Sequence, residues 1–136
     1  MTRQKPEELG SRTRRFALAV VRLYVTLPRS TVAYVLGRQL LRSGTSVGAH
    51  FREARRAKSN ADFVSKIEGA LQELDESAYW LELLRDASVT KSEIVAKLTA
   101  ECDELIAIFV TIVRRIKSAA ARPRQVSSAA QLPTGR

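Results

Sequence analysis

The sequence is 136 residues long, with 45% hydrophobic and 27% charged residues. That length suits one domain with an apolar core that needs no metal or disulfide, and the composition excludes an intrinsically disordered chain. The 23 basic and 14 acidic residues leave a net charge of +9, which favours an anionic partner such as a nucleic acid.

The cysteine content and the hydropathy pattern indicate where the protein works. Cys102 is the only cysteine, so no intramolecular disulfide is possible and a reducing compartment fits. No stretch approaches the ~20 apolar residues that cross a bilayer. The apolar run 16–21 follows basic residues as in a signal peptide, but it is short and Arg22 interrupts it. We therefore expect a cytoplasmic protein with no membrane partner.

Apolar residues recur with a period near 3.6 in the first half of the chain, which predicts two helices. The first helix is expected from Arg12 to Leu27, because Pro28 stops it, and it buries Phe16, Val20, Leu23 and Leu27. The second is expected from about Ser30 to about Lys58. Its apolar stripe consists of Val32, Leu36, Leu40, Ser43, Val47, Phe51 and Ala54.

The second half predicts two longer amphipathic helices. The third begins at Ser59 or Asn60 with Asp62 as a capping partner, and the fourth begins at a capping box formed by Thr90 and Glu93. The third stripe consists of Phe63, Ile67, Ala70, Leu74, Ala78, Leu81 and Leu84. The fourth consists of Ile94, Leu98, Cys102, Leu105, Phe109, Ile112 and Ile116.

The connections between these helices are short, and short connections make consecutive helices antiparallel neighbours. The sequence therefore predicts an all-α protein, an antiparallel up-down-up-down four-helix bundle over residues 12–117. Residues 1–11 are polar, and residues 118–136 collect Ala, Ser, Arg and two prolines. We expect a flexible N-terminal segment and a flexible basic C-terminal tail.

The residues that carry chemistry are scarce. His50 is the only histidine, and it lies on a different predicted helix from Cys102, so neither a His-rich metal site nor a conventional triad can form. The segment 44–48 is glycine-rich but lacks the spacing of a phosphate-binding loop and follows no strand. We therefore predict no catalytic residues, no metal and no cofactor.

Three glycines fall on one side of the second helix. Gly37, Gly44 and Gly48 are spaced by 7 and 4 residues, although each glycine costs roughly 1 kcal/mol against alanine inside a helix. This spacing favours the close approach of another helix, so we treat the three as candidates for an oligomer interface. A kink or break around Gly44 is the alternative.

Charge is distributed unevenly along the chain. Residues 1–58 hold 13 basic and 3 acidic residues, and residues 59–86 hold 2 and 7. The basic residues of the second helix lie opposite its apolar stripe: Arg38, Arg42, Arg52 and Arg56. The third helix carries an acidic stripe that includes one aromatic residue: Glu68, Asp75, Tyr79, Glu82 and Asp86.

Three interpretations of these stripes remain open. The basic stripe binds RNA or DNA phosphates, it docks on the acidic stripe of the next subunit in a ring, or both stripes are ordinary solvated faces. In a ring, the cations outside this basic stripe would form a cationic surface that each subunit repeats. These are the arginines of the first helix and the C-terminal residues Arg114, Arg115, Lys117, Arg122 and Arg124.

Two segments carry a family resemblance. Residues 41–54 read LRSGTSVGAHFREA and residues 73–84 read ELDESAYWLELL, with Phe63, Lys66 and Ile67 between them. Over roughly residues 16–117 the chain resembles the four helix bundle protein family, also called 23S rRNA-intervening-sequence proteins. The resemblance implies a non-enzymatic antiparallel bundle that assembles into homopentamers. A related branch accompanies reverse transcriptases of diversity-generating retroelements, which implies a nucleic-acid or polymerase partner.

The chain departs from the family at one position of that signature. The family usually has Asn where this sequence has His50, so His50 must supply an equivalent hydrogen bond. Altogether we predict a homo-oligomeric, non-enzymatic scaffold that contacts nucleic acid through a basic surface. The alternative is a protein-interaction module whose charged stripes serve only assembly and partner docking.

Overall fold

A computed structural model describes residues 6–121, which form four helices. These are α1 (Pro6–Thr26), α2 (Thr31–Arg55), α3 (Asn60–Asp86) and α4 (Ser92–Ala121). The predicted all-α bundle is confirmed, and the described residues contain no strand. Each helix packs against the next in the chain, and α1 also touches α4, with the fewest contacts there. The four helices therefore surround one core.

The outer ends of the bundle differ from the prediction. α1 is already helical at Pro6, the first residue described, and not only from Arg12. α4 continues to Ala121, since three consecutive alanines favour helix. Residues 6–11 and 118–121 are thus helical. The rest of the predicted flexible segments, 1–5 and 122–136, lies outside the described residues.

The connections are fixed by local hydrogen bonds. The Ser59 hydroxyl accepts from the Asp62 N–H at 3.0 Å, as predicted, and the Asp62 carboxylate accepts from the Lys58 N–H at 3.2 Å. α3 ends at Asp86, and the φ of 56° at Ser88, two residues later, permits the paired carbonyl contacts of a Schellman motif without a glycine. α4 begins one residue later than a cap at Thr90 would place it.

The core confirms most of the predicted apolar stripes and corrects their ends. Val32 and Ile94 are 53% and 39% exposed, and the fully buried positions next to them are Ala33 and Val95. The apolar stripe of α2 therefore begins at Ala33 and that of α4 at Val95, each one residue later than predicted. The largest buried side chains are Phe16, Phe109, Leu40, Ile67, Leu74, Leu81, Leu84 and Leu105.

The three glycines of α2 face α1 of the same chain. A Cβ atom at Gly44 would lie 2.9 Å from a methyl of Val20, and one at Gly37 would lie 2.6 Å from Leu27. At Gly48 the nearest atom, the Thr13 hydroxyl, is 3.4 Å away. The expected close approach of another helix is real, but that helix is α1. The prediction that these glycines line an oligomer interface is corrected, and α2 runs unbroken through Gly44.

A buried polar contact holds α2 against α3. The hydroxyls of Ser43 and Ser77 lie 2.8 Å apart, and both residues are fully buried. Ser77 also donates to the Glu73 carbonyl at 2.9 Å, so each hydroxyl has a partner and escapes the cost of an unsatisfied buried group. Ser43 is therefore buried within the otherwise apolar stripe of α2, as the sequence predicted.

The glycine contacts give a stability prediction. Gly44→Ala is expected to lower the free energy of unfolding by about 1 kcal/mol, since overpacking against the stiff, fully buried Val20 outweighs alanine's better helix propensity. Gly48→Ala is the matched control and should raise it by up to about 1 kcal/mol, because its methyl meets only ordinary contacts. Chemical denaturation measures both. A stabilising Gly44→Ala would contradict this packing.

Candidate nucleic-acid interface

The predicted basic stripe of α2 does not act as one surface. Arg42 lies 3.4 Å from Glu73 and also contacts Glu76, both on α3. Hydrogen bonding to Glu76, followed by the two negative charges, raises the pKa of Arg42. Its charge is therefore balanced within the chain, and Arg42 is a poor candidate for binding phosphate.

Arg38 is held by a neighbour on its own helix. Its guanidinium donates to the Tyr34 hydroxyl at 2.8 Å and lies 5.3 Å from the centre of the same ring. At 1.5 Å per residue, Arg38 is about 20 Å from Arg52 along α2. The four arginines therefore divide into two pairs at different heights on the bundle.

The second pair, Arg52 and Arg56, belongs to a cluster of four cations. The sequence pattern identified only these two. We call the exposed cluster around the α2–α3 connection the basic end, formed by Arg52, Arg55, Arg56 and Lys58. The ion pairs within residues 6–121 include none of the four, although the guanidinium of Arg55 lies 6.0 Å from the Phe51 ring centre. The negative end of the α2 dipole favours cations at this place.

The predicted cations of α4 lie at the same end of the bundle. Because the helices alternate in direction, α2 ends, α3 begins and α4 ends there, and Ile112 of α4 lines a cavity together with Phe51 and Phe63. Arg114 and Arg115 are exposed in the turn that follows. Lys117 differs, since it pairs with Glu68 at 3.0 Å. Arg122 and Arg124 lie outside the described residues.

The acidic stripe of α3 is partly occupied within the chain. Glu68 is engaged by Lys117, and Asp86 pairs with its neighbour Arg85 at 2.8 Å, which lowers the pKa of Asp86. Asp75, Tyr79 and Glu82 are exposed. Apart from Asp62 in the first turn, the negative charge of α3 thus lies beyond its first two turns, away from the basic end. Residues 67–86 hold six acidic and one basic residue.

Sequence periodicity missed the ion pair that joins α1 to α4. Arg12 donates to Glu101 at 2.8 and 2.9 Å and also contacts Glu104. The hydrogen bond to Glu101 raises the pKa of Arg12 despite its partial burial. Arg12 and Glu101 are 89 residues apart in sequence, and nothing in a helical period links residues at that separation.

His50 lies in the seam between α2 and α3. Its Nε2 is 3.6 Å from a Glu73 oxygen, which is too long for a hydrogen bond, and its buried Nδ1 has no hydrogen-bond partner among the described residues. A Cβ atom at Gly69 would lie 3.0 Å from Nδ1, so the glycine makes room for the ring. His50 therefore packs against α3, and the equivalent hydrogen bond expected of it is absent from residues 6–121.

Two further features bear on function. The described residues contain no group of three or more His, Cys, Asp or Glu side chains arranged to hold a metal ion. None of the four helices is both long enough and apolar enough to cross a membrane.

Comparison with known proteins gives a family and a fold neighbour. Residues 8–111 match the sequence pattern of the family described as 23S rRNA-intervening sequence protein. A crystal structure from Bacteroides thetaiotaomicron, described as a protein with unknown function from the S23 ribosomal protein family, is 35% identical with a TM-score of 0.76. The similarity covers 82% of this chain and 99% of that one. No curated protein matches the chain.

Cys102 lies away from the basic end, in the seam between α3 and α4. It is fully buried, and its thiol donates to the Leu74 carbonyl at 3.2 Å. Burial, and then the negative charges of Asp103, Asp75 and Glu101, raise the pKa of the thiol from 9.0 to about 12. The thiolate needed for nucleophilic chemistry is therefore scarce in the folded protein at neutral pH.

The buried thiol predicts a loss of stability at alkaline pH. Above about pH 9 the unfolded chain releases the Cys102 proton while the folded chain keeps it, so stability falls as pH rises towards the folded pKa. The expected slope is about 1.4 kcal/mol per pH unit relative to Cys102→Ala, which lacks the proton. Urea unfolding of both proteins between about pH 9 and pH 10.5 measures it. Equal slopes would contradict the burial.

Proposed function

We propose that this chain, which belongs to the 23S rRNA-intervening sequence protein family, is a non-enzymatic cytoplasmic scaffold that binds the phosphate backbone of RNA or DNA through its basic end. The observation that carries the proposal is the group of arginines at the end of α2, Arg52, Arg55 and Arg56, for which the described side chains provide no ion pair. Arginine is well suited to this role, since its planar guanidinium binds phosphate through paired hydrogen bonds.

The contrast between paired and unpaired arginines supports this location. Arg12 and Arg42 are balanced by carboxylates of the same chain, whereas Arg52, Arg55 and Arg56 take part in no ion pair of residues 6–121. Three neighbouring cations, with the single carboxylate of Glu53 beside them in the same cleft, repel one another and attract an anion with several charges. A nucleic-acid backbone supplies phosphates in series, so it can neutralise all three together.

The arrangement favours backbone binding over the reading of base sequence. The arginines lie where the end of α2 meets the start of α3, and the described residues show no helix laid out to present them to base edges. Phosphate contacts fix position without carrying sequence information. We therefore expect affinity that depends steeply on salt and little on sequence.

We also propose that the protein associates with itself, as the family resemblance implies. Several apolar side chains at the end opposite the basic end are exposed, including Val25 at 72%, Val32 and Val35. These residues lie near the α1–α2 connection. Burying them against other copies, up to the pentamer that the resemblance implies, would remove apolar surface from water. Self-association would also repeat the basic end around an assembly and raise its avidity for a long polymer.

A second candidate function is a protein-interaction module that docks on a reverse transcriptase or another protein. The exposed Tyr79, whose ring centre lies 5.1 Å from that of the half-buried Trp80 and which stands near the exposed Asp75 and Glu82, favours such a surface on α3. Aromatic residues of this kind are common at the centre of protein interfaces. Substitutions that abolish docking on this surface would leave the affinity for nucleic acid unchanged.

The backbone proposal predicts a specific charge-reversal result. Arg52→Glu combined with Arg56→Glu should weaken binding to an RNA hairpin and to a matched DNA duplex by at least about tenfold. It should also reduce the slope of log affinity against log salt by about two. Fluorescence anisotropy over a salt series gives both quantities.

The matched control for charge reversal is Arg29→Glu combined with Lys91→Glu. It makes the same change in net charge at exposed positions of the opposite end. An equal loss of affinity in both double variants would show that only the net charge matters. That result would contradict a binding site at the basic end. Weak binding of the unmodified protein even at low salt would reject the nucleic-acid proposal.

Self-association predicts a concentration-dependent mass. Sedimentation equilibrium should detect an oligomer of the unmodified chain, and Val25→Glu should shift it towards monomer because a charge cannot be buried cheaply in an apolar contact. Gln72→Glu, an exposed position with the same charge change, should leave the mass unchanged. A monomer at all concentrations would overturn the proposal.

A further inference from the structure

The basic end contains a cavity that backbone binding alone does not use. It is open to solvent on one side and has a volume of about 540 Å³, which is within the usual range of small-molecule pockets. It lies between the start of α1, the α2–α3 connection and the last third of α4. Its walls combine apolar and polar residues: Leu9, Phe51, Ala54, Arg55, Ala57, Lys58, Ser59, Asn60, Phe63 and Ile112.

The two sides of the cavity differ in chemistry. The floor is apolar and includes Phe51, which stacks on Phe109 at 5.8 Å, and the half-buried ring of Phe63. The rim carries the charges of Arg55 and Lys58. A nucleotide has the same division, with a flat base whose faces are apolar and a phosphate that is anionic.

Arg55 connects this cavity to a second cleft. That cleft is lined by Arg52, Glu53, Arg55 and Arg56, so Arg55 faces both spaces. A phosphate bound beside Arg55 would have its own base within reach of the apolar floor. The neighbouring phosphates of the strand would continue along Arg52 and Arg56.

The rim is held in place before any ligand arrives. The N–H groups of Arg56 and Ala57 donate to Glu53 and Ala54 carbonyls at 3.1 and 3.0 Å, and Asp62 accepts from the Lys58 N–H. A site that is already ordered loses less conformational entropy on binding than a flexible loop does.

We propose that this cavity takes one unpaired nucleotide of a single-stranded RNA or DNA segment. The base lies on the apolar floor beside Phe63, and the Asn60 amide, which has both donor and acceptor atoms, lines the cavity next to the base edge. A base inside a duplex cannot enter without first leaving its stack and its pair. The protein therefore prefers loops and single strands. This inference rests on the proposed backbone binding and adds a preference to it.

The test compares strands with the same phosphates and different bases. Three labelled DNA probes of equal length are used: a single strand, the same strand with abasic sites, and a blunt duplex. Anisotropy should give roughly tenfold tighter binding to the single strand than to the abasic strand, in the range measured for base stacking on aromatic side chains. Equal affinity for the single strand and the abasic strand would overturn the inference.

Two variants locate the preference in the cavity. Phe63→Ala should bring the affinity for the single strand down to that for the abasic strand, and Phe63→Tyr should retain the preference. Because Phe63 also packs against the core, a second variant is needed: Ala57→Leu fills the cavity without removing a packed side chain. A preference that survives Ala57→Leu would overturn the assignment to this cavity.

The outcomes separate this inference from the proposed function. Salt-steep binding to all three probes without preference leaves backbone binding standing and rejects the nucleotide site. Absence of binding to every probe rejects both. Competition by free adenosine 5′-monophosphate at the same concentration as the strand would assign the cavity to small nucleotides and overturn the single-strand preference.

Discussion

The bundle depends on how closely α2 approaches its two neighbours. On one side Gly37 and Gly44 leave no side chain between α2 and the α1 residues Val20 and Tyr24. On the other side the hydroxyls of Ser43 and Ser77 satisfy each other at 2.8 Å, and Gly69 gives room to His50. Small residues on two faces of α2 therefore bring it close to both α1 and α3. Its packing fixes where the basic end, at its C-terminus, meets α1 and α3.

Charge in the described part of the chain is divided between ion pairs that hold helices together and cations that form no ion pair there. Arg12 joins α1 to α4, and Arg42 joins α2 to α3, so these arginines stabilise the fold. The arginines of the basic end do not, and like charges held together on a rigid connection lower stability unless something offsets them. The α2 dipole offsets part of this cost. An anionic partner would offset the rest, which is the physical basis of the proposed function.

The sequence predicted only part of the candidate site. Arg52 and Arg56 were identified because they lie opposite the apolar stripe, but the same rule included Arg42, whose partners Glu73 and Glu76 belong to another helix. Helical periodicity gives the face on which a residue lies and not the helix that covers it. For the same reason the glycines of α2 were assigned to a second subunit when they contact α1. The cavity at the basic end could not be predicted from the sequence, because three segments that are distant in the chain form it.

The sequence by itself determined the four helices, most of their apolar stripes, the Ser59 cap and the family, because these follow from local spacing within one segment. The tertiary structure decided which neighbour each small residue faces, which arginines are paired and where a cavity opens, because these depend on contacts between helices distant in sequence. The helical conformation of residues 6–11 in α1 depends on both local sequence and tertiary contacts. A polar first turn has a weak apolar period of its own, and it is helical here with Leu9 buried in the core.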